Sequence, residues 1–229
     1  MLKNITIGYS QLRGLQNSKK LMIDKWTNRS KYGIMKRIHS KEEIIQIGLE
    51  LILSNGFNAT GVEAILKQAK IPKGSFYNFF SSKEEFCLKI IDKYLEDVSA
   101  VFHPIFTDPS YPPLMRIRKS FEARIALFES YNCAKGCLLG NLGQEMSDQY
   151  ESVRMRLLQG ILGWEKQLSA LLHEAQENKE LPAEIDVNIL AENLIASFQG
   201  ALLWAKIKKS LIPLNNFISL YFNTFLRIN

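Results

Sequence analysis

Ile71-Pro72-Lys73-Gly74-Ser75-Phe76-Tyr77-Asn78-Phe79-Phe80-Ser81-Ser82-Lys83-Glu84-Glu85 reads as a very short helix pressed between two longer ones. Pro72 suits a first helical turn, where a missing N–H costs nothing. Ser81 with Glu84, or Ser82 with Glu85, forms the S-x-x-E capping box that starts the next helix. Between those signals only about two helical turns fit, and so short a helix is marginal without packing. Phe76 and Phe80, four residues apart, supply the inward face. Lys73, Ser75, Tyr77 and Asn78 are then left pointing outward.

The upstream segment completes a unit. Ser40-x-x-Glu43 is another capping box, and the apolar spacing that follows predicts a helix from Lys41 to Ser54, stopped at Asn55-Gly56. Thr60-x-x-Glu63 is expected to cap a second helix carrying Val62, Ile65, Leu66 and Ala69, with only Lys70-Ile71 before Pro72. Two helices joined by so tight a turn, the second one polar, make a helix-turn-helix. The turn has no glycine. Lys70 takes that place, and a left-handed lysine is expected to cost about 1 kcal/mol.

From Phe57-x-Ala59-Thr60 through Pro72 to Glu85, the chain resembles the N-terminal domain of the tetracycline-repressor (TetR) family. The motif match covers residues 40–90, while the remainder matches in length and helical organisation. The resemblance implies an all-helical homodimer that binds an operator and releases it when a small molecule enters the larger domain. It further implies that Thr60, Tyr77 and Lys83 grip phosphates, and that Lys73, Gly74, Ser75 and Asn78 lie where the recognition helix approaches bases. From charge alone, Lys67, Lys70, Lys73 and Lys83 are expected to supply most of this unit's attraction to DNA. Phosphate contacts orient such a module and base contacts specify sequence. The chain departs from the family at Phe79, where histidine is common.

Composition agrees with an all-α fold in two domains. The chain has 229 residues and 46% hydrophobic content, enough for a real core. No apolar run reaches the roughly 18 residues that would suggest a membrane span, and Met1 to Trp26 carries no secretion signal. Three cysteines, Cys87, Cys133 and Cys137, point to free thiols in a reducing cytoplasm. Residues 1–37 hold nine basic side chains against Asp24, whereas 38–229 has 20 basic and 22 acidic. This tail is either a basic arm that adds salt-dependent DNA affinity or a leader without function. The expected domains are the tail (1–37), the helix-turn-helix (38–84) and a helical effector-sensing and dimerisation domain (85–229).

In the larger domain a long helix is expected from Phe86 to about Phe102, ending near Pro104, with a loop at Asp108-Pro109-Ser110-Tyr111-Pro112-Pro113. Helical patterns resume over 114–131, 137–146, 150–178 and 185–209, and Pro213 opens a last helix. Leu190, Leu194, Phe198, Leu202, Leu220 and Tyr221 are read as the dimer interface, on helices apolar over more than one face; ordinary core is the competing reading. A two-fold dimer demands an inverted-repeat operator, its half-sites about 34 to 36 Å apart or a multiple of it. Phe102, Phe121, Phe128, Trp164 and Trp204 are candidate walls of a ligand pocket, although aromatics at helical spacing are also what plain core looks like.

Gly136-Cys137-Leu138-Leu139-Gly140-Asn141-Leu142-Gly143 lacks the spacing and preceding strand of a dinucleotide fingerprint. With Ala205-Lys206-Ile207 it is similar to a subgroup of the family, the repressors of N-ethylmaleimide reductase and acrylate-responsive genes. That likeness implies a small reactive or unsaturated effector, with Cys137 as sensor thiol and Lys206 as the cation that keeps it ionised. The competing readings are an inert buried thiol and control by a noncovalent hydrophobic ligand alone. No cofactor or metal is expected, because no histidine lies near Cys133 and Cys137 to complete a zinc site. A thiol-dependent enzyme is the rival from another class. His39, His103 and His173 are its only candidate imidazole bases, and none lies in a catalytic motif.

Overall fold

The structure is a computed structural model that describes residues 40–227, apart from the side chain of Lys73. The basic tail 1–37 and His39 lie outside the described residues. Helix α1 (Lys41–Asn55) and α2 (Val62–Ala69) are followed by a 3-10 turn (Lys73–Ser75) that runs into α3 (Phe76–Phe79). Then come α4 (Lys83–Phe106), α5 (Pro113–Ser130), α6 (Leu138–Met146), α7 (Glu151–Glu177), α8 (Val187–Lys208) and α9 (Ile212–Ile218), the last continued by a π-helical segment (Ser219–Phe225). Among the described residues there is no strand.

Several boundaries follow directly from side-chain chemistry. Ser40 accepts the Glu43 N–H at 3.2 Å to start α1, and Gly56 ends it at φ 87°. Lys70 does adopt the left-handed conformation, φ 56° and ψ 37°, and its N–H closes on the carbonyls of Leu66 and Lys67. At α4 the two possible boxes resolve to one. Ser82 accepts the Glu85 N–H at 3.0 Å, while the Glu85 carboxylate reaches back to the N–H and hydroxyl of Ser81, both at 2.7 Å.

Two expectations are corrected. Thr60 does not cap α2, whose N-cap is Gly61; Thr60 is 1% exposed and its hydroxyl donates inward to the Gly56 carbonyl at 2.6 Å. The linker helix does not stop near Phe102 but runs through Pro104 to Phe106. Proline costs one main-chain bond there. Burial of Phe102 and Phe106 on either side holds the last turn in place.

The small N-terminal core is aromatic. Phe76, Phe80 and Phe86 meet with centroids 4.7 to 5.2 Å apart, and all three are buried. Phe86 belongs to α4, so the long helix is part of the DNA-side core as well as of the larger domain. There α4 packs against α5, α6 and α7, α7 packs against α8, and α8 against α9.

The expected dimer residues are mostly monomer core. Leu190, Leu194, Phe198 and Leu202 are buried within one chain, Phe198 lying 5.0 Å from Phe121 and 5.3 Å from Phe217 between ring centroids. Tyr221 is half-buried and its hydroxyl pairs with Ser197 Oγ at 2.7 Å; Leu220 alone of the six is exposed. The periodicity identified a buried face correctly and misassigned what it is buried against.

At Gly48 α1 approaches α4 closely, since a Cβ there would lie 2.2 Å from Phe86 Cζ. Gly48→Ala is expected to destabilise the fold by about 1 to 3 kcal/mol through overpacking, despite alanine's better helix propensity. Urea unfolding checks this, and a midpoint raised above the wild type would contradict it.

Candidate functional site

The DNA-side surface is set by the turn between α2 and α3. Burial of Phe76 and Phe80 turns the other side of the short helix outward, leaving Tyr77 65% exposed and Asn78 exposed beside it. Gly74 is also exposed, with nothing within 4 Å of where its Cβ would be, while Ser75 is half-buried and Lys70 exposed. Lys70, Gly74, Tyr77 and Asn78 therefore present to solvent on and beside the short helix, and Lys73 sits in its first turn.

Two expected phosphate contacts are used elsewhere. Thr60 is buried, as described above. Lys83 folds back over the Phe57 ring, 4.0 Å from its centroid, and donates to the Phe57 carbonyl at 2.9 Å. Partial burial pulls its pKa below the ordinary lysine value, with Cys87 and Glu145 opposing that shift. Both residues build the turn on which the DNA-reading helices rest.

That turn has a third support that no local pattern announces. Glu145, near the end of α6, accepts the N–H of Phe57 at 2.9 Å and of Asn58 at 3.0 Å through one carboxylate oxygen. A second cross-link joins Lys135, in the loop before α6, to Glu50 of α1 at 2.6 Å. Both ends of the 135–145 segment thus grip the DNA-reading unit.

The same segment borders a cavity of about 100 Å³ enclosed by α4, α5, α7 and α8. Phe102, Phe121, Phe128 and Trp164 line it. Trp204 does not; it is 56% exposed on the outer side of α8. Cys137 lines the cavity as the N-cap of α6, and its sulfur receives the Tyr94 hydroxyl at 3.7 Å. Burial pushes the Tyr94 phenol well above its usual pKa, so at neutral pH it is a neutral donor.

The cation facing Cys137 is Arg124 rather than Lys206. Arg124 lines the cavity and interacts electrostatically with both Tyr94 and Cys137, whereas Lys206 is absent from the lining. Arg124 stacks on Phe102, 3.8 Å from the ring centroid, and donates to the Ser120 carbonyl at 3.1 Å. Burial lowers its pKa to about 10, which leaves it charged at neutral pH. Sequence reading missed it, though a signal exists: Arg124 interrupts the apolar face that carries Phe121, Ile125 and Phe128. Cys87 is of another kind, buried against Met146, with its thiol pushed up to about 12 by burial. Neither His103 nor His173 lines the cavity.

Among the described residues no group of His, Cys, Asp and Glu could hold a metal ion, and no helix is long and apolar enough to cross a membrane.

Comparison with known proteins gives this arrangement its context. Residues 44–90 match the family described as bacterial regulatory proteins, tetR family, and 113–221 match the tetracyclin repressor-like C-terminal domain. The chain is 32% identical to the HTH-type transcriptional repressor DhaR of Mycobacterium sp. (strain GP1) over 84% of its own length and 95% of that protein's. It is 35% identical to the transcriptional regulator AcuR of Cereibacter sphaeroides, over 77% and 80% of the two chains. The crystal structure of reduced E. coli NemR superposes with a TM-score of 0.72 at 30% identity, covering 78% of this chain and 92% of that one. The chain belongs to the TetR family of transcriptional repressors.

Exposed and buried positions of the DNA-side unit separate cleanly by substitution. Tyr77→Ala and Asn78→Ala are each expected to weaken operator binding by about 1 to 3 kcal/mol while leaving Tm within a degree or so. Thr60→Ala is expected to lower stability by a similar amount, about 1 to 3 kcal/mol, by stranding the Gly56 carbonyl. Gel shifts at fixed salt beside thermal melts check both, and a thermal loss in Asn78→Ala equal to that of Thr60→Ala would contradict the division.

Proposed function

We propose that this repressor works as a homodimer on an inverted-repeat operator, and that it lets go when its cavity is filled or Cys137 is modified. The observation that carries the reading is the placement of one nine-residue helix, α6. Its first cap, Cys137, lines the cavity; its end bears Glu145, which holds the turn under the DNA-reading helices. A helix of that length spans about 13 Å and moves as a rod.

Two routes feed the same lever. A thiol reacts through its thiolate, and an adduct on Cys137 would occupy the cavity and displace the Tyr94 hydroxyl from the sulfur. A noncovalent ligand would fill the same space without the thiol. The relatives' names describe regulators and one reduced form, which fits either route. Operator half-sites about 34 to 36 Å apart, or a multiple of it, require both protomers' readers to keep register, so a small shift of the turn is enough to break binding. Double-stranded DNA and a small-molecule effector are the partners of this reading, and the cytoplasm is its setting.

Dimerisation uses a face different from the one the periodicity suggested. Along α8, Ile189, Asn193, Ala196, Gly200, Leu203 and Ile207 are exposed at alternating steps of four and three, the seam spacing of packed helices, with Trp204 exposed beside them. Gly200 has nothing within 4 Å of its Cβ position, leaving room for a second backbone. Met155, Leu158 and Leu162 add exposed apolar surface on the neighbouring α7. Exposed hydrophobics in such number mark an interface.

Three measurements test the reading. Gel shifts with the upstream intergenic region are expected to show specific, salt-sensitive binding. N-ethylmaleimide or hypochlorite is expected to abolish it in the wild type and not in Cys137→Ser. A Cys137→Ser protein that still responds fully rejects the thiol route and leaves the noncovalent one. Trp204→Glu is expected to shift sedimentation from dimer to monomer and to lose operator binding with the fold retained by circular dichroism; an unchanged dimer would rule out this face.

A further inference from the structure

Arg124 has no carboxylate within ion-pair distance among the described residues. Its recorded contacts are the Phe102, Phe106 and Phe121 rings, the Ser120 carbonyl, and the neighbouring Tyr94 and Cys137. The other interior arginine is treated differently: Arg116 pairs with Glu174 and donates to the Phe106 carbonyl. A guanidinium taken out of water without a counter-charge is costly, and its planar fork of N–H donors matches a carboxylate.

The surroundings of Arg124 share one sign. Among the described residues no Asp or Glu lines the cavity. An adjoining, more open cleft between α4 and α7 has none among the described residues either, and it meets the cavity at Arg124, Phe102, Trp164 and Gln167. The cleft carries two further cations, Lys166 and Arg156, the latter paired with Asp92 at 2.6 Å. A path that runs from a cationic cleft past Arg124 into an apolar chamber suits a ligand with a negative head and a hydrocarbon body.

We propose that the effector cavity takes a small organic carboxylate, its carboxylate paired with Arg124 and its hydrocarbon chain lying among Phe102, Phe121, Phe128 and Trp164. This rests on the effector reading given above and narrows it to a chemical class. The Tyr94 hydroxyl, a neutral donor beside Arg124, is placed to supply a second hydrogen bond to the same head group. Binding supplies to Arg124 the counter-charge that none of the described residues provides. Saturated carboxylates satisfy these contacts as well as unsaturated ones, so recognition of the class does not depend on Cys137.

The test is calorimetric titration of the full chain with straight-chain saturated carboxylates from propanoate to octanoate, each beside the primary amide of the same chain. At least one carboxylate is expected to bind at least about tenfold more tightly than its amide. Arg124→Gln is expected to lose that preference and Arg124→Lys to keep part of it. Equal binding of acid and amide, or binding of neither across the series, overturns the proposal. The acid–amide comparison in the wild type decides even if the Arg124 variants do not fold. Gel shifts on the same preparation separate the two levels: specific DNA binding without carboxylate preference rejects the ligand class alone, and absence of specific DNA binding rejects the reading beneath it.

Discussion

The Glu145 carboxylate, accepting the N–H groups of Phe57 and Asn58, is the interaction on which the proposed coupling of the two halves depends. A hydrogen bond to a charged acceptor contributes about 1.5 to 3 kcal/mol, more than most single contacts between the halves. Around it the turn at 56–60 gathers other partners: the Lys83 ammonium on the Phe57 ring and carbonyl, the Thr60 hydroxyl on the Gly56 carbonyl, and Gly56 itself at positive φ. A Cβ on Gly56 would lie 2.7 Å from Glu145 Oε1, so the close approach needs glycine for space as well as for conformation. Several supports of the DNA-reading helices therefore converge on one short loop, and one of them comes from the larger domain.

Seen from the cavity, the same helix explains why a small event can matter. Cys137, Tyr94 and Arg124 form a polar cluster in a mostly apolar chamber, and the chamber is bounded by the segment that ends in Glu145. Packed interiors rearrange between discrete arrangements rather than deforming smoothly. In the proposed mechanism, an occupant that needs the space near Cys137 or the charge of Arg124 would push against the start of α6, and the short helix would carry that displacement to the turn.

Local chemistry was legible in the sequence, and long-range chemistry was not. Ser40 and Ser82 cap their helices as the S-x-x-E spacing indicated, and Lys70 takes the left-handed turn position because the chain offers no glycine there. Phe76 and Phe80 are buried as their spacing required. Thr60 misled because its spacing to Glu63 matches a capping box, while Gly56, four residues earlier, offers a nearer acceptor. Leu190, Leu194, Phe198 and Leu202 misled because helical periodicity shows that a face is buried without saying whether its cover is the same chain. Glu145 and Arg124 were missed for a related reason. Their partners, Phe57 for Glu145 and Tyr94 and Phe102 for Arg124, lie far away along the chain, and only the fold brings them together.

The most direct measurement of the coupling is amide hydrogen exchange, resolved to single residues at Phe57 and Asn58, before and after the cavity is loaded. If Glu145 transmits the signal, the condition that releases DNA also speeds exchange at these two amides, and Glu145→Gln brings them to the fast level with the cavity empty. Release of DNA with both amides still protected would contradict a link through α6 and require another route between sensor and reader.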